Sequence, residues 1–341
     1  MSGRDIKSLP LVALEGELVA RGQPPFRARQ VFTWLHRRDA ASFDEMTDVA
    51  KDLRALLREH YVIVRLPVVN QLRSEDRACK LALQTDDGRQ VECVLIPEAR
   101  RLTLCVSTQI GCRFGCGFCR TGAMGFARNL TPGEIVEQLY AAQRTFPEQR
   151  ITNVVLMGMG EPLDNFDHVV DAIRIWRSDY GANLSPRKIT LSTVGLAPEI
   201  DRLGQTIEVS LAISLHAADD ETRNKLMPIN KKYPLAELMA ACERYPLRHR
   251  RRLTFEYALV AGVNDSPEHA RRLANLVKSL RPKINLIACN PFAGSGFAAP
   301  DEDTIRRFQQ VLIEKNLTAI VRKSRGRDIL AACGQLAVNR L

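Results

Sequence analysis

Apolar positions in the first stretch of the chain recur at helical spacing. Leu11 to Arg21 is periodic and stops at Gly22. PPFRARQVFTWLHRR opens at Pro24-Pro25, puts Phe26, Val31, Phe32 and Leu35 on one face and carries Arg27, Arg29, Arg37 and Arg38 on the other. SFDEMTDVAKDLRALLREHY predicts a further helix. From Val62 the period shortens. Cys79–Gln84 and Gln90–Ile96 flank Thr85-Asp86-Asp87-Gly88, and Asp-Gly between two apolar runs predicts a β-hairpin.

After about residue 100 strand-like and helical patterns alternate. The strand-like runs are Leu102–Thr108, Ile151–Gly158, Lys188–Gly195, Val209–Ala217, Leu253–Gly262 and Lys283–Asn290. Helical patterns such as Pro132–Arg144, Phe166–Arg177 and Pro267–Leu280 fall between them. Thr131-Pro132-Gly133-Glu134 reads as a capping box with Pro at the first helical position. The alternation predicts an α/β fold on a parallel sheet, either doubly wound or curved into a barrel. In both, the site lies at the C-terminal ends of the strands. The divisions expected are a helical module over 1–61, a β-hairpin region over 62–98, a βα core over 99–295 and an extension over 296–341.

No apolar run approaches the roughly 18 residues that cross a bilayer. The N-terminus breaks its apolar character with charges, unlike a signal peptide. A cytoplasmic protein with reduced thiols is expected, and no membrane partner. The net charge of +10 changes the picture further, because a basic protein attracts polyanions, RNA among them. The runs Arg244, Arg248, His249, Arg250, Arg251, Arg252 and Arg322, Lys323, Arg325, Arg327 either grip phosphates or form solvated surface.

Nine cysteines need a reason in a reducing compartment. Three fall in Cys112-Arg-Phe-Gly-Cys116-Gly-Phe-Cys119, directly after the first core strand. Three thiolates at this spacing on a loop suit three irons of a four-iron cluster, leaving the fourth open to a small molecule. Zinc is the competing reading, with Cys105 or Cys333 as a fourth ligand. Gly158-Met-Gly160-Glu161-Pro162 ends the next strand, and a carboxylate there suits a cationic amine. Ser192, Ser214 with Leu215 and His216, and Asn290 end later strands. Cys79, Cys93, Cys242 and Cys289 lack ligand spacing and read as small core residues. Glu92 sits in the apolar strand VECVLI, either facing the core, where burial would raise its pKa, or facing solvent.

The cysteine spacing resembles the signature of the radical S-adenosylmethionine (SAM) superfamily. That resemblance implies a partial (β/α)6 barrel, a [4Fe-4S] cluster held by Cys112, Cys116 and Cys119, and SAM on the open iron. It also implies SAM contacts from Gly160, Glu161, Ser192, Ser214, Leu215, His216 and Asn290. The runs CVSTQIGCRFGCGFCRTGAMGFARNLTPGEIVEQL, VVLMGMGEPLDNF, ITLSTVGL, ISLHA and SRGRDILAACGQLA are similar to those of the RlmN family along almost the whole chain. Members of that family methylate C2 of adenine in 23S rRNA and in certain tRNAs. The resemblance implies two SAM molecules per turnover. The first methylates Cys333. The second yields a radical that turns the S-methyl group into a methylene radical able to add to adenine C2. It further implies Glu92 as proton acceptor and Cys105 as the thiol that releases product, leaving a transient Cys105–Cys333 disulfide. An electron donor such as a flavodoxin or ferredoxin follows, and a monomer is expected. Two alternatives stand beside this reading: methylation of adenine C8 by the related Cfr family's chemistry, and a zinc-stabilised RNA-binding protein without catalysis.

Overall fold

The computed structural model describes residues 3–338. Its centre is one ten-stranded sheet: β1 (Val68–Arg73), β2 (Cys79–Gln84), β3 (Gln90–Glu98), β4 (Arg101–Val106), β5 (Asn153–Leu156), β6 (Ile189–Thr193), β7 (Ser210–Ser214), β8 (Thr254–Leu259), β9 (Lys283–Ala288) and β10 (Thr318–Arg322). Spatial order follows chain order throughout. Strands β1 to β4 pair antiparallel, and β4 to β10 pair parallel. A parallel neighbour demands a crossover, and each of the six crossovers from β4 to β10 carries helix. Among them are α1 (Pro132–Thr145), α2 (Phe166–Arg177), α3 (Asp220–Leu226) and α4 (Glu302–Glu314).

All six strand-like core runs form strands. The expected hairpin forms, with Gln84 opposite Gln90, and its strands extend the parallel sheet. Thr131 and Glu134 close the capping box at the start of α1. The expected helix over Pro267–Leu280 is α-helical to Val277 and ends in a 3-10 turn. Two strands of this sheet escaped the pattern, β1 and β10, and these are its two edges. Every residue of β1 is exposed, and Ala319 alone is buried in β10. An edge strand with wet faces has no apolar period to read.

The N-terminal 3-10 turn Ile6–Ser8 packs on α1, and the helix Pro25–His36 reaches it through His36 Nδ1, 3.0 Å from Tyr140 Oη. Lys7 and Glu137 are both fully buried and form an ion pair of 2.6 Å. Asp39 and Arg144 extend it at 3.4 and 2.7 Å. Removing one partner of a buried pair leaves an uncompensated charge. Lys7→Met should therefore destabilise the protein by about 3 kcal/mol, the lower end of the usual range because Arg144 also reaches Glu137. Urea unfolding measures it, and a loss within 0.5 kcal/mol of zero, the ordinary range for a surface change, contradicts the coupling.

Candidate active site

The chain leaves β4 into the short hairpin of Gln109–Gly111 with Phe126–Asn129. A Cβ at Gly111 would overlap the Gly125 carbonyl, and its φ of 76° favours glycine. The loop between these strands carries Cys112, Cys116 and Cys119, all half-buried. Cys112 N–H donates to Gly125 O at 2.9 Å and Cys119 N–H to Cys116 O at 3.0 Å. Burial pushes the Cys112 thiol up to about 12 and Cys116 well above its ordinary value, and negative charge on the neighbouring loop cysteines pushes the same way. The three thiols thus share one electrostatic locus. Yet among the described residues no three His, Cys, Asp or Glu side chains lie close enough to hold a single metal ion.

The next strand ends face this locus. Gly160 has φ 93° and packs on Gln109, whose side chain a Cβ would strike. Gln109 Oε1 accepts from Glu161 N–H at 2.9 Å. Glu161 is buried, and its two oxygens accept from Leu163 N–H at 3.0 Å and Val194 N–H at 2.8 Å. Burial pushes its carboxyl up to about 7 despite those bonds. A carboxylate has about four acceptor positions, so Glu161 retains room for a cation. Ser192 and Ser214 end adjacent strands with hydroxyls 3.5 Å apart. Leu215 is buried, and its backbone groups bond Glu256 O and the Arg223 side chain. His216, at φ 58°, accepts from Ala258 N–H through Nδ1 at 2.9 Å. Burial pushes it down to about 3, so it is neutral with its proton on Nε2.

The C-terminal tail closes over this locus. Arg120 N–H donates to Gly334 O at 2.7 Å and Thr121 Oγ1 to Leu336 O at 2.6 Å, tying the tail to the cysteine loop. Asn290 Nδ2 donates to Cys333 O at 3.2 Å, and its Oδ1 accepts from Arg327 Nε at 3.1 Å. Asn290 thus serves the tail with both ends of its amide. Glu92 is buried and faces inward: it pairs with Lys80 at 3.0 Å and accepts from Ala337 N–H at 3.0 Å. Burial raises its carboxyl, and Lys80 opposes the rise. Cys333 is exposed at the surface of the tail. Burial, with Glu256 nearby, pushes its thiol up to about 11. Cys105 is buried on β4, and negative charge on Cys333 acts directly on its thiol.

Three comparisons bear on this geometry. The "Radical SAM superfamily" signature matches residues 106–274, and the "Ribosomal RNA large subunit methyltransferase N-terminal domain" matches residues 5–63. A "Dual-specificity RNA methyltransferase RlmN" from Anaeromyxobacter dehalogenans (strain 2CP-C) is 49% identical over 340 residues, covering 98% of this chain and 91% of that protein. The chain belongs to the RlmN family. A relative of the same description from Geobacter sulfurreducens (strain ATCC 51573 / DSM 12127 / PCA) is 50% identical over 97% of this chain and 91% of its own length. The crystal structure of a radical SAM methyltransferase from Sphaerobacter thermophilus superimposes with a TM-score of 0.91 at 45% identity, over 97% of this chain and 98% of that one.

RlmN proteins, as radical SAM enzymes, use a [4Fe-4S] cluster and SAM. Three thiols on one short loop, each feeling the others' charge, fit a cube gripped by one thiolate per iron. Cys79, Cys93, Cys242 and Cys289 are buried core residues. Sequence reasoning missed Lys80, Arg223 and Glu256, charged groups that lie inside the fold beside the site. It also weighed the two basic runs alike. The run 244–252 precedes β8 at the rim opposite the site, where Arg244 pairs with Asp201 and Arg248 with Glu208. The run 322–327 follows β10 at the site's mouth.

Glu92→Ala removes the acceptor of Ala337 N–H and leaves Lys80 buried without its ion pair. Exchange of the Ala337 amide should accelerate about tenfold, the equivalent of one hydrogen bond to a charged group. Hydrogen-exchange mass spectrometry reads this on the tail peptide, and unchanged protection there contradicts the clasp.

Proposed function

We propose that the protein methylates C2 of adenine in RNA, in 23S rRNA and in tRNA, through a methyl group carried on Cys333. The observation that supports it most directly is the position of Cys333: the tail hangs it between the cysteine loop and buried Cys105. When bound, the cluster and SAM supply the one-electron chemistry that an aromatic carbon with a non-acidic C–H requires. The chain's residues do the rest. Cys112, Cys116 and Cys119 hold the cluster, and Glu161 receives the SAM ammonium. Neutral His216, with its proton on Nε2, offers a donor at the end of β7.

Cys333 accepts a methyl on sulfur; that methyl gives up one hydrogen atom to the one-electron chemistry that bound SAM would supply, its carbon joins C2 as a methylene bridge, and the one electron left over when the C2 proton departs would return to the bound cluster. Glu92, freed from Ala337 N–H, takes the C2 proton. The Cys105 sulfur then attacks the Cys333 sulfur. The bond from that sulfur to the bridging carbon breaks with its electron pair left on carbon, and the Cys105 proton completes the methyl group. The Cys105–Cys333 disulfide that forms needs two electrons to reset. A reducing cytosol and a flavodoxin- or ferredoxin-type donor meet these needs. The described residues contain no helix long and apolar enough to cross a membrane. Arg322, Lys323, Arg325 and Arg327 at the mouth supply phosphate contacts, and the target base leaves its stack to reach Cys333. The protein acts as a monomer.

Defined fragments of 23S rRNA and tRNA, incubated with SAM and a reductant, test the activity. NMR of the modified nucleoside should show 2-methyladenosine, and an 8-methyl product refutes C2 chemistry. Cys105→Ala should accumulate RNA joined covalently to Cys333, seen as a shifted band on denaturing gels. Turnover with no adduct, in a protein with its cluster intact, removes Cys105 from the release step.

Glu161 gives a second expectation. Its carboxyl, raised to about 7, is mostly protonated below that pH and must lose its proton to meet an ammonium. SAM affinity should therefore increase as pH rises through about 7. Glu161→Gln should weaken binding at least about tenfold, as loss of a bond to a charged group predicts, and abolish the pH slope. Equilibrium dialysis measures both, and a slope that survives the substitution places the titrating group elsewhere.

A further inference from the structure

Arg223 is fully buried, on α3 between β7 and β8. Its Nε donates to Leu215 O at 3.1 Å, Nη1 to Asn230 Oδ1 at 2.8 Å, and Nη2 to Val194 O at 2.8 Å and Ser214 O at 3.2 Å. All of these partners are neutral. None of the ion pairs among the described residues includes it. Asp220, whose charge it feels, is occupied with Asn230 Nδ2 and Leu235 N–H, both at 2.9 Å. A buried guanidinium without a counter-ion carries a desolvation cost of several kcal/mol. Such a cation marks a place where an anion belongs.

The cysteine loop lies against the same helix. Gly117 N–H donates to Leu226 O at 3.0 Å, one turn beyond Arg223, and Cys116 is the first group whose negative charge acts on Arg223. We propose that Arg223 is the counter-charge of the thiolate-bound cluster, raising its reduction potential while framing the strand ends of β6 and β7. The inference rests on the reading of Cys112, Cys116 and Cys119 as cluster ligands. A cube held by three thiolates carries negative charge, and reduction adds more. A fixed cation in a low-dielectric interior therefore stabilises the reduced cluster more than the oxidised one. Arginine suits the task because it keeps its charge when buried and its planar fork holds several carbonyls at once. Arg223 touches no substrate and is a positioning residue.

The test is the midpoint potential of the reconstituted cluster, followed by EPR during anaerobic redox titration, in wild type, Arg223→Gln and Arg223→Lys. The neutral variant should shift the reduction equilibrium at least about tenfold toward the oxidised cluster, equivalent to about 59 mV for one electron. Lysine should restore most of that shift. Circular dichroism of each apoprotein reports folding separately. A neutral variant that folds but loses its cluster, while the lysine variant keeps it, supports the same conclusion. An unshifted midpoint in Arg223→Gln, or equal effects of both substitutions, overturns it. A wild-type protein that takes up no cluster overturns the ligand reading instead, which is a separate outcome.

Discussion

The hydrogen bond from Arg120 N–H to the Gly334 carbonyl joins two segments that more than two hundred residues separate. One carries three cysteines at the mouth of a parallel sheet, and the other carries Cys333. Thr121 Oγ1 to Leu336 O and Asn290 Nδ2 to Cys333 O reinforce this contact. With it, the strand ends, the cysteine loop and Cys333 share one frame. The sheet makes the contact possible because its antiparallel extension supplies Lys80 and Glu92, and both grip the tail from the far side.

Charge in the interior follows a consistent logic. Lys7 answers Glu137 where the N-terminal helices meet the barrel, and Lys80 answers Glu92 under the tail. Each pair is long-range in sequence and short-range in space, so each fixes how one segment sits on another. Glu161 and Arg223 differ: each is buried and has only neutral protein partners. Both bond the backbone of Val194, Glu161 accepting from its N–H and Arg223 donating to its carbonyl, and the proposed ligands, a cationic amine and an anionic cluster, carry the complementary charges.

Much of this was legible in the sequence. The cysteine spacing, the Gly-Glu-Pro turn and the six apolar strand runs are local signals, and local signals survive translation into structure. Edge strands β1 and β10 were not legible, because wet faces on an edge leave no alternation. Arg223 and Lys80 look like ordinary surface charges in a linear chain, since nothing local tells that a helix or strand will turn its cation inward. Glu92 was ambiguous for the same reason. Alternation permitted either face, and only its pairing with Lys80 and the tail shows that it points in. The two basic runs looked alike until topology set one behind the strands and the other in front of them.

Cys333 stands between two fastened points, the Leu330 carbonyl held by Lys80 and the Gly334 carbonyl held by Arg120. Only three residues lie between them, so the thiol has the reach of a side chain and a tight turn, a few ångströms at most. It cannot travel out to a folded RNA. Under the proposed role of Cys333, the RNA makes most of the approach, and selection of the right adenine depends on the RNA's ability to unfold and bring one base down to the sulfur.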